Sequence, residues 1–413
     1  MPITNRIADF HPDLTEWRRD LHAHPELAFE EHRTADVVAA RLAEFGIEVH
    51  RGLAGTGVVG TLRGNRPGGR VIALRADMDA LPMPEENGFA HASQHPGKMH
   101  ACGHDGHTTM LLGAARYLAE TRNFAGTVRF IFQPAEECGG GGEVMVKDGL
   151  FEQFPADEVY GLHNVPGMPL GHFAGRVGPM MAATDEFDIV VKGRGGHAAQ
   201  PHKSVDPVVL GAQIVGALQT ICSRTADPIE SLVVSITQFH AGSAYNVIPE
   251  EAVLRGTIRS FDPALRLQAQ ESLKRIATGI AAGLGGSAEV KIIKGYPATR
   301  NHAAQLVKAL KVAEALVGAD RVEDNIAPVM GGEDFAYMLE AKPGAYLFIG
   351  AGPAQRGGNL HQTHYDFNDE ILPLGASYWA QLAETLLAEA WPEPPGARWF
   401  RPGSSTPFRT CPC

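Results

Sequence analysis

Cysteine is scarce in this chain, with five residues among 413 that are odd in number and mostly isolated. This spacing differs from the framework of paired cysteines found in small disulfide-stabilised secreted proteins. A reducing, cytoplasmic environment is therefore expected, and it would keep Cys102 available as a thiolate. The first residues, MPITNRIADFHPDL, lack the apolar core and the cleavage-site pattern of a signal peptide.

Long apolar runs and clusters of basic residues are also missing. No apolar run approaches the ~18 residues needed to span a bilayer. The formal net charge is −11, and the lack of a Lys/Arg cluster argues against nucleic acid or a membrane surface as a partner. Hydrophobic residues make up 44% of the chain and charged residues 20%, as in ordinary soluble globular proteins. A chain of 413 residues is longer than the usual length of a domain with a single hydrophobic core, so two domains are expected.

Strand and helix patterns alternate in the first part of the chain. Helices are predicted over 14–21, 33–45 and 108–121. Three apolar runs predict buried strands with polar ends: RVIALRADMDAL (70–81), TVRFIFQPAEE (127–137) and DEVYGLHNVP (157–166), the last strand ending at His163. This alternation predicts an α/β fold with a mostly parallel central sheet. Ligands bind beyond the carboxyl ends of such strands.

The middle of the chain has a different order of elements. A strand at 185–193 precedes a helix at 206–221, which has Asp206 as N-cap and Pro207 in its first turn. Two strands, a helix and a last strand follow at 231–239, 252–261, 264–284 and 288–295. The order β-α-β-β-α-β is that of a ferredoxin-like α+β domain.

We therefore predict a ferredoxin-like domain inserted at 183–293 into a first domain made of 1–182 and 294–390. The first domain would resume through a strand at 344–352 and close with a helix near 371–390. The last residues, 391–413, are rich in proline and polar residues and are expected to be a disordered tail.

The stretch KMHACGHDGH (98–107) concentrates ligand-type side chains. Cys102 and His104 alone are weak indicators of a metal site. A zinc finger needs a second Cys/His pair at short spacing, and a redox motif needs C-x-x-C; neither follows. Taken by itself, the stretch fits a polar loop better than a site, because histidines near a helix start are more often hydrogen-bonded or exposed than metal ligands.

The adjacent carboxylates Glu136 and Glu137 strengthen the metal hypothesis, because a nearby cation would relieve their repulsion. One could bind a metal while the other acts as general base. Asp77, at another strand end, is placed to orient a ligand histidine by a hydrogen bond. The candidate ligands suffice for a zinc-like site of two metal ions that share one ligand; they are Cys102, His104, Glu137, His163 and His361. Other histidines are interpreted as structural or supporting, namely His22, His24, His100, His107, His202 and His364.

Seven motifs in this order resemble those of the hippurate hydrolase and N-acyl-amino-acid amidohydrolase family of metallopeptidases, to which plant auxin-conjugate hydrolases are similar. The resemblance covers about residues 12 to 390. The motifs are HACGHDGH, QPAEE, GLHNVPGMPLG, GRGGHAAQPH, NVIPEEAVLRGTIRSF, GGEDFAYM and LHQTHYDFND.

The resemblance implies a zinc-exopeptidase-like catalytic domain with an inserted lid and dimerisation domain. Cys102 would bridge two metal ions, and Glu136 would be the general base. His197 would reach the partner subunit's active site and stabilise the oxyanion. The remaining metal ligands would be His104, Glu137, His163 and His361. The substrate carboxylate would be held by Asn246 and Arg259.

One feature departs from the wider superfamily, whose strand-end motif is His-x-Asp with a ligand histidine. Here the motif reads Arg75-Ala76-Asp77. The amidohydrolase branch shares this feature, and the resemblance implies that His104 replaces the missing ligand.

The implied protein is a homodimer or a tetramer with two divalent ions per subunit, Zn²⁺ or Mn²⁺, with Ni²⁺ and Co²⁺ also compatible. It would hydrolyse N-acyl or N-aroyl amino acids to a carboxylic acid and an amino acid. Three alternatives stay open on the residues alone. They are a dipeptidase, carboxypeptidase or esterase with the same site, a non-catalytic conjugate-binding or metal-storage protein, and a thiol-based redox or acyl-transfer enzyme that uses Cys102.

Overall fold

The computed structural model describes residues 4–353 and 358–388. Its strands in chain order are β1 (Glu48–Leu53), β2 (Gly57–Arg63), β3 (Arg66–Asp77), β4 (Ala125–Gln133), β5 (Glu158–Val165), β6 (Phe173–Ala174), β7 (Gly178–Met181), β8 (Ala183–Lys192), β9 (Gly196–His197), β10 (Leu232–Ala241), β11 (Val247–Ile248), β12 (Glu251–Ser260), β13 (Ser287–Lys294), β14 (Thr299–Asn301), β15 (Val322–Glu323) and β16 (Gly344–Gly350).

The helices include every helix predicted from the sequence. They are α1 (Asn5–Ala8), α2 (His11–Ala23), α3 (His32–Glu44), α4 (His104–Thr121), α5 (Gly141–Lys147), α6 (Leu150–Gln153), α7 (Pro207–Thr220), α8 (Pro263–Gly283), α9 (Ala303–Val317), α10 (Phe335–Ala341) and α11 (Leu372–Leu386).

The larger sheet has eight strands in the order β1-β2-β4-β3-β5-β16-β6-β15. Its centre is parallel: β3 pairs in parallel with β4 and β5, and β5 with β16. The strands β1, β2 and β4 pair antiparallel at one side. The predicted mostly parallel sheet is confirmed. Because β3, β4 and β5 run in the same direction, the polar residues at their carboxyl ends meet at one edge.

Helix α4 lies in the core between the sheet and the helices α2 and α11. Its side chains are buried on nearly every face, including Met110, Leu111, Leu112 and Leu118. A helix that is apolar all round is a core helix rather than a surface helix. Its first residue, His104, is thereby fixed beneath the carboxyl edge of the sheet.

The second sheet has four antiparallel strands in the order β10-β12-β8-β13 and its own core with α7 and α8. This is the predicted ferredoxin-like arrangement. The Asp206 side chain accepts a hydrogen bond from the Val208 N–H at 2.9 Å and caps α7, as its sequence position predicts. The exact domain boundaries, 1–182 with 294–390 and 183–293, remain predictions.

Two expectations about local structure were wrong. The helix predicted from residue 108 begins at His104, and the strand predicted to end at His163 continues to Val165. Both side chains therefore lie in regular elements and not in loops. Residues 391–413, the expected tail, and the last two residues of the helix predicted to reach 390 lie outside the described residues. Within the described part of the chain, no helix is long and apolar enough to cross a membrane.

Candidate metal centre and active site

The five predicted metal ligands meet at the carboxyl edge of the larger sheet. In three sets of side chains, the ligand atoms all lie within 4.8 Å of one another. The sets are Cys102 with His104 and His163, Cys102 with Glu137 and His361, and His104 with Glu136 and Glu137. Cys102, His104 and Glu137 each belong to two of these sets, so the sets overlap in one cluster, and the bridging role of Cys102 stays a prediction.

The distances within these sets are short. Cys102 Sγ is 3.4 Å from His163 Nε2, and His361 Nε2 is 3.2 Å from Glu137 Oε1. His104 Nε2 is 4.0 Å both from Glu137 Oε1 and from Glu136 Oε2. Cations of zinc-like size could therefore contact several of these atoms together.

The backbone has unusual conformations where it presents these side chains. Gly103, between Cys102 and His104, has a φ of 91°, and a side chain there would collide with Asn164. His361 has a φ of 61°, and its N–H donates a 2.8 Å hydrogen bond to the Ala101 carbonyl. Left-handed backbone at a non-glycine residue often marks a functional position.

Two of the three candidate ligand histidines, His163 and His104, are oriented by hydrogen bonds from their second nitrogen. Nδ1 of His163 donates to the Asn164 carbonyl at 2.7 Å, and Nδ1 of His104 donates to the Asp79 carbonyl at 2.9 Å. In the neutral form of both rings, Nε2 then carries the lone pair that a metal needs. The Asp79 carboxylate also accepts the N–H of Glu137 at 2.9 Å. The sequence interpretation missed Asp79, although it stands two residues after Asp77.

Asp77 was expected to orient a ligand histidine, and its closest imidazole is that of His107. Asp77 Oδ1 lies 2.6 Å from His107 Nδ1, whereas Asp77 Oδ2 lies 3.9 Å from His104 Nε2. The other nitrogen of His107 is 2.8 Å from the Asn164 side-chain oxygen. His107 thus links the ends of β3 and β5 beneath the ligands.

Glu136 is buried beside two further acids that the sequence interpretation left without a role, Glu333 and Asp334 of the GGEDFAYM motif. The Asp334 N–H donates to Glu136 Oε1 at 3.4 Å. Burial raises the pKa of Glu136 well above its usual range, and the charges of Glu333 and Glu137 raise it further.

Arg75 is the buried cation of this acidic region. Its guanidinium contacts Asp77 at 2.5 Å, and Glu333 and Asp334 at 3.0 Å each. It also donates to the Gln133 side chain at 2.9 Å. Arg75 therefore supplies a positive charge to three carboxylates beneath the site.

The donor set fits soft divalent cations. His104 Nε2 is buried without a hydrogen-bond partner. Burial, together with Glu137 and Glu136, raises the pKa of the Cys102 thiol well above its usual range. A bound cation would satisfy the imidazole and favour the thiolate. The raised thiol pKa also disfavours Cys102 as the reactive thiolate of a redox or acyl-transfer enzyme.

The three remaining candidates, His197, Asn246 and Arg259, lie in the part of the chain that includes the second sheet. His197 is exposed in β9, and the N–H of the next residue, Ala198, donates to the Asn246 carbonyl at 3.0 Å. Arg259, half-buried on β12, donates to the Thr257 hydroxyl at 3.1 Å. Among the described residues, no hydrogen bond or ion pair joins these side chains to the ligand cluster. Their catalytic and binding roles stay predictions.

A mostly parallel α/β sheet with a cluster of thiol, imidazole and carboxylate side chains beside a buried acid is typical of a metal-dependent hydrolase. Residues 73–385 match the model of Peptidase family M20/M25/M40, and the chain belongs to this family. It is accordingly a hydrolase that acts on amide bonds. The predicted family, fold class and enzyme class are confirmed.

Individual relatives cover nearly the whole chain. Hippurate hydrolase of Campylobacter jejuni is 43% identical over 386 residues, which are 93% of this chain and 99% of the relative. Thermostable carboxypeptidase 2 of Saccharolobus solfataricus is 39% identical over 94% of this chain and 98% of its own length. The crystal structure of a Bacillus subtilis dinuclear metal-binding peptidase from the M20 family has a TM-score of 0.79 and 37% identity, and covers 92% of this chain and 99% of that one.

Proposed function

We propose that this protein hydrolyses N-acyl and N-aroyl amino acids, compounds like hippurate, to a carboxylic acid and an amino acid. One observation carries the proposal: a buried carboxylate, Glu136, and its partly buried neighbour, Glu137, face the same ligand cluster in different ways. Glu137 Oε1 lies 3.2 Å from His361 Nε2, which supports the proposal that both side chains bind the same metal ion. Glu136 accepts a hydrogen bond from the Asp334 N–H at 3.4 Å and is not needed as a ligand, which supports a role as general base. The 43% identity to a hippurate hydrolase favours the same substrate class.

Two divalent ions per subunit would be held by Cys102, His104, Glu137, His163 and His361. Thiolate and imidazole ligands favour Zn²⁺ or another transition metal over Mg²⁺ or Ca²⁺, and the carboxylate ligand also admits Mn²⁺. Ni²⁺ and Co²⁺ suit the same donors. Ions bound there would supply Lewis acidity that polarises the amide carbonyl and lowers the pKa of water.

The chain's own residues would perform the proton transfers. Glu136 would take a proton from the water that attacks the amide carbon and pass it to the leaving amine nitrogen. His197 would donate a hydrogen bond to the developing oxyanion, a contribution worth about 10²–10³ in turnover. The Arg259 guanidinium would bind the substrate carboxylate bidentately, with Asn246 beside it.

A peptide substrate is the second candidate, because a carboxypeptidase is 39% identical to this chain over 94% of its length. Both substrates present an amide bond next to a free carboxylate, so the same site would serve. The two activities differ only in the acyl group of the substrate. It would come from an aromatic acid in a hippurate-like substrate, and it would be an aminoacyl group in a peptide.

We also propose that the protein acts as a homodimer or tetramer in the cytoplasm. The exposed His197 supports the oligomer, because a catalytic role for this side chain requires an active site that it can reach. An oxyanion donor that projects from one subunit into another would account for its exposure in a single chain.

The proposal is tested by the release of free amino acid from N-acyl amino acids, dipeptides and simple esters. The parent, Glu136→Gln and the control Glu152→Gln would be reconstituted with Zn²⁺ or Mn²⁺. Loss of the general base should lower kcat by about 10²–10⁴. The control should retain parent activity, because Glu152 is exposed on α6. A parent that binds the metal but releases no amino acid from any amide would contradict the proposal, as would an unimpaired Glu136→Gln.

A further inference from the structure

A buried carboxylate outside the ligand cluster contacts the loop that follows β4. Glu31, just before α3, is fully buried. Its Oε1 accepts hydrogen bonds from the N–H groups of Phe29 at 3.1 Å and Ala135 at 2.9 Å. Its Oε2 accepts a hydrogen bond from the Thr56 hydroxyl at 2.7 Å. Glu31 therefore connects three segments that are far apart in sequence.

The bond to Ala135 holds an unfavourable backbone conformation. Ala135 has a φ of 56°, in the left-handed region that residues with a Cβ avoid. Such strain persists only where surrounding contacts enforce it. The Ala135 N–H donates to Glu31, and its carbonyl accepts the Gly141 N–H at 2.9 Å. The next two residues are Glu136 and Glu137, so this turn sets the direction of both carboxylates.

The same N-terminal loop contacts the other end of that segment. Phe29 also has left-handed backbone, with a φ of 63°. Its ring covers Gly139 so closely that a Cβ there would lie 2.5 Å from Cε2 of the ring. The segment that carries Glu136 and Glu137 is thus fixed before and after the two acids, by a carboxylate and by an aromatic ring.

Burying the Glu31 carboxylate in its charged form is energetically unfavourable. Burial raises the pKa of Glu31 to about 7, although hydrogen bonds from Thr56 and the backbone oppose this. Glutamine has almost the same shape and would avoid burying a charge. Its single oxygen could still accept both N–H groups now bound to Oε1, which makes Glu31→Gln an informative conservative variant.

We propose that Glu31 is a positioning residue for the reaction: it holds Ala135 in the left-handed conformation and so directs Glu136 and Glu137 into the site. This inference rests on the proposed function, in which the two acids are base and ligand. Glu31 itself touches neither acid, and it acts through the Ala135 peptide.

Three variants and one control test the positioning role of Glu31. The quantities measured are kcat, KM and the affinity for Zn²⁺, the last by competition with a chelator. Glu31→Ala should lower kcat by about 10–100-fold with little change in KM, since displaced catalytic groups lose rate. It should weaken Zn²⁺ binding about 10-fold, as the loss of supporting contacts does. Glu31→Gln should retain most of both. Adding Ala135→Gly to Glu31→Ala should restore part of both, because glycine adopts positive φ without steric cost.

Thr56→Val is the matched control, since it removes one hydrogen bond to Glu31 and leaves the bond to Ala135. It should lower the Tm and leave kcat and Zn²⁺ affinity unchanged. The proposal is overturned if Glu31→Ala changes only the Tm, as the control does, or if the added glycine restores nothing.

If Glu31→Ala fails to fold, Glu31→Asp replaces it, because aspartate keeps the carboxylate on a side chain that is shorter by one methylene. Unchanged kcat and unchanged Zn²⁺ affinity in Glu31→Asp would likewise overturn the proposal. The Zn²⁺ measurement needs no turnover, so its outcome is independent of whether Glu136→Gln disproves the proposed reaction.

Discussion

At the scale of single residues, one carboxylate orients two candidate ligands. Asp79 Oδ1 lies 3.2 Å from His104 Nδ1, and Asp79 Oδ2 accepts a hydrogen bond from the Glu137 N–H. The first contact adds to the shorter hydrogen bond from His104 Nδ1 to the Asp79 carbonyl, and the second fixes the peptide from which Glu137 extends. Supporting contacts of this kind raise the basicity of a ligand and pre-organise it for the metal.

Replacing Asp79 by asparagine should therefore weaken metal binding. The amide is nearly isosteric but lacks the charge that stabilises the ligand imidazole, so Zn²⁺ affinity should fall by about 10–100-fold. Competition with a chelator at fixed pH measures this change. Asp320→Asn, an exposed aspartate far along the chain, is the control and should bind as the parent does. Equal affinities in the two variants would show that Asp79 does not support the ligands.

At the scale of elements, the patterns that could be predicted are those with a strong apolar signal. The runs ending near Asp77, Gln133 and His163 predicted buried strands, and the parallel sheet then placed their ends together. Strand β1 gave no such signal, because five of its six residues are not buried. Helix α9 did carry helical spacing and could have been found.

The supporting residues could not be read from local patterns, because their contacts depend on distant segments. The register of β3 on β4 sets Asp77 opposite Gln133, and Asp334 reaches the Gln133 side chain at 2.7 Å from 201 residues away. Asp79, Glu333 and Asp334 acquire their roles only when these segments pack. Ligand types can be predicted from motifs, whereas the residues that orient them depend on tertiary structure.

One contact between elements makes a pH-dependent contribution to stability. Glu158, at the start of β5, accepts hydrogen bonds from Lys308 at 2.6 Å and Gln305 at 3.1 Å, both on α9. Burial opposes ionisation, but the hydrogen bonds from Lys308, Tyr160 and Gln305 outweigh it and lower the pKa of Glu158. Since the folded pKa lies below the ordinary value of 4.5, this stabilisation is present above pH 4.5 and is lost as the pH falls further.

Lys308→Met should accordingly lower the Tm at pH 7.5, where a hydrogen bond to a charged group contributes about 1.5–3 kcal/mol. The difference from the parent should narrow as the pH falls towards 4 and below, because the parent then loses the same interaction. Lys311→Met, an exposed lysine on the same helix, should change the Tm little at any pH. A Tm difference that stays constant down to pH 4 would contradict this account of Glu158.

At the scale of the whole molecule, the residues of the proposed site lie in two parts of the chain that no hydrogen bond or ion pair joins among the described side chains. The ligand cluster and Glu136 lie at the edge of the larger sheet, while His197 is exposed on the two-stranded ribbon formed by β9 and β11. If His197 acts on the partner subunit's substrate, each active site contains residues of two chains. In a symmetric dimer both sites are then built in the same way.

Complementation tests this arrangement. Glu136→Gln and His197→Ala should each be nearly inactive, because one lacks the base and the other the oxyanion donor. After subunit exchange, about half of the dimers pair the two variants, and one site in each such dimer is intact. About a quarter of parent activity should therefore return. Co-expression with two affinity tags isolates the mixed dimer directly, and a mixture of Glu136→Gln with Glu136→Gln is the control. If the purified mixed dimer remains inactive, or if His197→Ala alone keeps parent activity, His197 does not act across subunits.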